Sequence, residues 1–145
     1  YFLWINDLDA IYLKITPNIK YIGADVSTIM INKHIQDASL NKYTFVVKDL
    51  SRDTIPQVDL IICRDVLQHL PEKMIFQSLE NISKSKSKYL LVSNYIEQKT
   101  VDTNKDILIG DANERNLFNP PFSLKNHTYS EKVFKKYLSL FKLPF

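Results

Sequence analysis

The twelve residues Asp59-Leu60-Ile61-Ile62-Cys63-Arg64-Asp65-Val66-Leu67-Gln68-His69-Leu70 decide the fold. Val58 to Cys63 is a short, mostly apolar run that gives way abruptly to the charged pair Arg64-Asp65. An apolar run of that length, bounded by polar residues, reads as a strand buried on both faces, which is the habit of parallel sheets. Upstream, Lys20 to Asp25 (KYIGAD) and Tyr43 to Asp49 (YTFVVKD) repeat the pattern, each a β-prone run ending in an acid. Downstream, Lys88 to Tyr95 (KYLLVSNY) is a fourth strand, with Leu90, Leu91 and Val92 able to bury both faces.

Helical signals fill the gaps. Ser27 is a suitable N-cap for a helix from Thr28 to about Leu40, along which Ile31, Ile35 and Ala38 fall at helical spacing. Pro71 suits a first helical turn, where its missing N–H costs little, and Ile75, Leu79 and Ile82 then share one face up to about Lys84. Ser83 to Lys88 alternates serine and lysine and reads as a solvated connection. Strands alternating with helices imply right-handed crossovers, hence an α/β fold with a mainly parallel, doubly wound sheet. Past Tyr95 the alternation stops. Residues 96–130 are polar, carry Pro120-Pro121, and are expected to form a substrate-facing loop. Lys136 to Leu143 is apolar enough for a last strand.

Composition narrows the function classes. With 145 residues, 45% hydrophobic and 24% charged, the chain suits a single globular domain, and it has no apolar run long enough for a membrane span. The net charge of +3 comes from 19 basic and 16 acidic residues, with Arg52, Arg64 and Arg115 the only arginines. Dispersed lysines do not make a nucleic-acid surface. Cys63 is the only cysteine, which excludes an internal disulfide or a multi-cysteine zinc site and favours a cytoplasmic location. Only Gly23 and Gly110 are glycines, so no phosphate-cradling glycine loop exists within the chain.

In an open parallel sheet, ligands sit outside the carboxyl ends of the strands. Asp25, Asp49 and Arg64-Asp65 therefore converge on one edge. A carboxylate there can accept both hydroxyls of a ribose, which makes Asp25 a ribose-binding candidate, and Asp49 could accept an exocyclic amine. His69 follows Asp65 by four residues, so a helical turn would put both on one face. Imidazoles exchange protons in the neutral range, and His69 is thus a general-base candidate beside Asp65. Tyr95, Asp106, Asp111 and Arg115 are polar groups at or within the loop and are candidates for orienting a substrate. Asn119-Pro120-Pro121-Phe122 is expected to be a stiffened loop that forms one wall of the pocket. No metal-ligand spacing is present.

Tyr21-Ile22-Gly23-Ala24-Asp25-Val26, Val47-Lys48-Asp49-Leu50 and Asp59 to Leu70 together resemble successive motifs of class I S-adenosylmethionine-dependent methyltransferases. Ser85 to Tyr95 is similar to that family's fifth strand. Asn104-Lys105-Asp106-Ile107 with Gly110-Asp111 and Pro120-Pro121-Phe122 is similar to a bacterial-type subgroup of small methyltransferases. That subgroup's usual Trp and Arg after Gly-Asp are Ala112 and Asn113 here.

The resemblance implies a Rossmann-like fold, a seven-stranded sheet ending in an antiparallel hairpin, and S-adenosylmethionine as cofactor. It implies that Asp25, with Val26 beside it, holds the ribose and that Asp49 with the Leu50 backbone meets the adenine. Arg64, Asp65 and Val66 would line the methionine side, and the acceptor would be a small polar molecule. The family's glycine-rich loop has no counterpart here. Tyr1-Phe2-Leu3-Trp4 resembles the segment just after it, which implies a single domain over residues 1–145 that lacks its first strand and cofactor loop at the N-terminus. The missing loop also motivates an alternative, a non-catalytic scaffold that keeps the fold. A different nucleotide-binding α/β domain is a third possibility, but it gives no place to the Arg-Asp-Val-Leu-Gln-His-Leu signature.

Overall fold

Ile61 and Cys63 are fully buried in the main core while Ile62 packs into a smaller cluster with Tyr21, so the deciding stretch does begin as a two-faced strand. The computed structural model of the chain describes residues 2–4, 19–96 and 104–145. Their regular elements are β1 (Phe2–Trp4), β2 (Ile22–Asp25), α1 (Thr28–Gln36), β3 (Thr44–Val47), β4 (Leu60–Cys63), α2 (Glu72–Lys84), β5 (Tyr89–Asn94), β6 (His127–Val133) and β7 (Lys136–Lys142). The strands form one seven-stranded sheet in the order β3-β2-β1-β4-β5-β7-β6.

β1 to β5 pair in parallel, while β7 runs antiparallel to β5, with Leu90 opposite Phe141, and antiparallel to β6. This is the α/β, doubly wound sheet with a C-terminal antiparallel hairpin that the sequence implies. The strand order reverses between β1 and β4, which opens a crevice at their carboxyl ends.

Local chemistry explains most boundaries. Ser27 caps α1, its hydroxyl accepting from the Met30 N–H at 3.3 Å. The helix ends at Gln36, short of Leu40, because the Asp37 carboxylate accepts from the Ser39 N–H and starts a separate 3-10 turn over Ala38–Leu40. α2 carries Ile75, Leu79 and Ile82 onto Ile61, Leu90, Val92 and Phe141 in the main core. Each such buried side chain contributes roughly 1.5–3 kcal/mol relative to exposure.

Three expectations need correction. The central strand is not missing: Phe2–Trp4 lies between β2 and β4, with Phe2 opposite both Ile22 and Ile61. The three apolar residues there pair two strand edges that would otherwise expose unbonded backbone. Ser83 to Lys88 is not simply solvated. The lysines are exposed, but Ser85 and Ser87 are buried, and the Ser87 hydroxyl accepts from the Val58 N–H at 3.1 Å. Finally, residues 127–130, included in the irregular segment, belong to β6, an edge strand too polar and exposed to stand out by hydropathy.

Candidate functional site

Asp25 ends β2 and Asp49 follows β3, and each carboxylate turns back into its own loop by one oxygen. Asp25 Oδ1 accepts from the Ser27 N–H at 2.7 Å; its Oδ2 has no partner among the described residues. Asp49 Oδ1 accepts from both the N–H and the hydroxyl of Ser51, at 2.8 and 2.7 Å. Its Oδ2 is met only loosely, by the exposed Arg52 guanidinium at 3.6 Å. Asx-type bonds of this sort fix a side chain's direction while leaving its second oxygen for a ligand. Val26 is 60% exposed beside Asp25, whereas the Leu50 side chain is buried in the core and its carbonyl accepts from Asn81 Nδ2 at 3.0 Å.

Asp65, just past β4, is held differently. Its backbone is left-handed, φ +57°, a conformation few residues other than glycine adopt but which aspartate tolerates. Its N–H donates to the Ser93 hydroxyl at 3.0 Å, and its Oδ1 accepts from Ser93 Oγ, Gln68 Nε2 and the Lys136 ammonium. Arg64 Nε approaches Oδ2 at 3.5 Å. Burial pushes the Asp65 carboxyl up, but Lys136, Gln68 and Ser93 together outweigh it and hold the group below the usual carboxylate range. Tyr95 stands close enough for that charge to matter: burial, then Asp65 and Glu114, push its phenol up and keep it a neutral donor. Val66 packs against the main core. Burial drives the neighbouring Cys63 thiol to about 12, so it is no nucleophile near neutral pH.

The expected pairing of Asp65 with His69 is not made. Residues 67–69 form a 3-10 turn that Asp65 precedes, and the side chain that reaches back to its carboxylate is that of Gln68, at 3.3 Å, rather than His69. His69 is exposed.

The loop candidates divide. Arg115, only 1% exposed, donates from Nη1 to the Lys105 carbonyl at 2.7 Å and from Nη2 to the Leu70 carbonyl at 3.0 Å. Two of its guanidinium nitrogens thus tie loop to core, while the buried Nε makes no hydrogen bond among the described residues. Asp106 accepts from the Glu72 N–H at 2.6 Å and the Ile107 N–H at 2.9 Å, supplying at the start of α2 the cap that Pro71 cannot. Asp111 is exposed and lines an open cavity of about 580 Å³ together with Lys105, Asp106, Leu108 and Asn113. None of the strand-end acids lines that cavity. Phe122 of the Asn-Pro-Pro-Phe segment is buried against Phe76, a core contact instead of a pocket wall. Lys136 and Ser93 were not identified from sequence, since Lys136 lies 71 residues from Asp65 and only the β5–β7 register brings it near. Among the described residues no cluster of metal-ligating side chains occurs, and no helix is long and apolar enough to cross a membrane.

A seven-stranded sheet in this order, with acids at the carboxyl ends of β2, β3 and β4, defines the class I methyltransferase fold. Residues 6–86 match the family described as "Methyltransferase domain", and the chain belongs to that family. No curated protein matches it. Among solved structures, human N-acetylserotonin methyltransferase in complex with SAM is similar at TM-score 0.72 and 15% identity, over 99% of this chain and 47% of that one. CalO1, a methyltransferase in calicheamicin biosynthesis in its SAH-bound form, gives 0.71 and 12%, over 99% and 48%. The PH0226 protein from Pyrococcus horikoshii gives 0.70 and 17%, over 99% and 80%. The chain thus spans about half the length of the first two.

Proposed function

We propose that the chain binds S-adenosylmethionine and transfers its methyl group to a small polar acceptor. The observation that carries this is the set of three strand-end carboxylates, each anchored through Oδ1, with Oδ2 unengaged or only loosely paired. Such oxygens suit the cofactor: Asp25 Oδ2 can accept a ribose hydroxyl, and Asp49 Oδ2 the adenine amine. Arg64, Asp65 and Val66 would face the methionine end. The similarity to proteins solved with SAM or SAH supports the same assignment.

The bound cofactor supplies an activated methyl on a sulfonium. The protein's part is to orient the acceptor in line and exclude water, tasks that need no dedicated triad. Tyr95, as a neutral phenol, can donate a hydrogen bond to the acceptor, and the proton released can leave to water, with exposed His69 only a secondary route for it. We further propose that residues 1–145 form one methyltransferase domain, with Phe2–Trp4 filling the central position of its sheet. A mass increase of one methyl in a polar acceptor, dependent on S-adenosylmethionine and lost in Asp25→Ala, is the expected result; its absence across a broad acceptor screen would sink the enzymatic proposal.

One observation favours a second proposal, a non-catalytic scaffold. Residues 5–18, which follow the central strand, contain no glycine with which to approach the methionine moiety closely. A scaffold would bind neither S-adenosylmethionine nor S-adenosylhomocysteine.

A further inference from the structure

Asp25 and Asp49 are anchored from within their own turns, by residues two positions away, whereas Asp65 is anchored from three separate elements. Ser93 comes from β5, Gln68 from the 3-10 turn, and Lys136 is the first residue of β7. The register that sets Asn94 opposite Tyr137 puts Lys136 one step beyond the end of β5, at the edge where the parallel strands present their carboxyl ends. We propose that Lys136 is a positioning residue, fixing Asp65 through Oδ1 so that Oδ2 is presented, ionised, to the methionine end of the cofactor. The inference rests on the cofactor assignment above and extends it to a residue of the C-terminal hairpin.

Three physical points support it. The Lys136 side chain is 19% exposed and that of Asp65 27%, and a cation so far withdrawn from water is costly unless its charge is used. Asp65 has a left-handed backbone outside any regular element, so its direction depends on what holds the side chain. Arg64 cannot replace the lysine, because at 3.5 Å its Nε makes an ion pair too long for a good hydrogen bond. The charged and titratable groups around Asp65 are Arg64 beside it, Cys63 behind it in β4, Tyr95 after β5 and Lys136 from β7, with Glu114 acting on Tyr95. Of these, Lys136 alone combines a full positive charge with a hydrogen bond to the carboxylate. Without it, the burial that already opposes ionisation of Asp65 would face only Gln68, Ser93 and the loosely paired Arg64.

The test is calorimetric titration of the chain and of Lys136→Met and Lys136→Arg with S-adenosylhomocysteine between pH 5 and 7.5. Lys136→Met is expected to bind roughly tenfold more weakly at pH 7.5 and weaker still at pH 5, as Asp65 takes up a proton. Lys136→Arg should recover most of the loss and follow the pH dependence of the unaltered chain. Equal affinity and equal pH dependence in Lys136→Met would overturn the proposal alone, whereas absence of binding to the unaltered chain would overturn the cofactor assignment and this proposal with it. Should Lys136→Met fail to fold, carbon-13 titration of the Asp65 carboxyl in the unaltered chain decides: a midpoint below the ordinary aspartate value of about 3.9 is expected, and one at or above it contradicts the role.

Discussion

The strand-end acids and the loop that begins at Asn104 are equally polar in sequence, yet they spend their polar groups in opposite ways. Asn104 donates to the Asn116 and Pro120 carbonyls, each at 2.8 Å, and accepts from the Asn116 N–H at 2.9 Å, while Arg115 donates to two further carbonyls. These side chains substitute for the backbone ladder that an irregular segment lacks. At the sheet edge, the backbone is already satisfied by the strands, so Asp25 and Asp49 are each aimed through a single oxygen, by one short bond at Asp25 and two at Asp49. The lesson is that a buried polar residue in a long loop is more often scaffold than site, and that a half-committed carboxylate at a strand end is the better functional marker.

That contrast can be broken in several ways. Replacing Arg115 with methionine should have the largest effect on folding, about 3 kcal/mol, because it leaves the Lys105 and Leu70 carbonyls without their donor; urea unfolding would measure it. Cofactor affinity in whatever remains folded should be unaffected. Asp25→Ala should do the reverse, weakening S-adenosylhomocysteine binding roughly 30-fold, about 2 kcal/mol, while shifting the unfolding midpoint little. If Arg115→Met weakened binding selectively, or Asp25→Ala chiefly unfolded the protein, the two regions would not be distinct.

Asp65 sharpens the comparison through pH. Its folded-state carboxyl titrates below its ordinary value, so the stability it contributes is present above about pH 4 and is lost as pH falls through the lower folded value. Acid unfolding followed by circular dichroism should therefore begin at higher pH in Lys136→Met than in the unaltered chain. Asp106→Ala removes an exposed cap and should lower the melting temperature by a few degrees at most, with unchanged cofactor affinity. The smallest effect is expected from His69→Ala: with its ring exposed and no bond to Asp65, turnover should change less than about threefold.

Much of the fold is legible because β2, β4 and β5 are short apolar runs that hold buried residues, while β3, half-exposed at the sheet edge, is betrayed by its β-branched and aromatic residues instead. The edge strand β6 is not, since His127, Thr128, Glu131 and Lys132 face solvent and lack a hydrophobic period. Phe2–Trp4 reads in sequence as the segment after the glycine-rich loop, because its central position depends on pairing with β2 and β4, which no local pattern encodes. The strand ends alone point to Asp25, Asp49 and Asp65 as residues of one sheet edge. His69 was paired with Asp65 on the assumption of a helical turn, and the 3-10 geometry gave that place to Gln68. The burial of Arg115 is not legible because sequence cannot distinguish a charged loop residue in water from one tied to carbonyls in the core. Lys136 was missed because its partner is remote in the chain.

The central claim is that the carboxyl ends of β2, β3 and β4 form a cofactor site, and isothermal titration with S-adenosylhomocysteine, run in parallel on the unaltered chain and Asp25→Ala, tests it most directly. Saturable one-to-one binding that the substitution weakens roughly 30-fold is predicted; no binding to the unaltered chain, or equal binding by both, would contradict it.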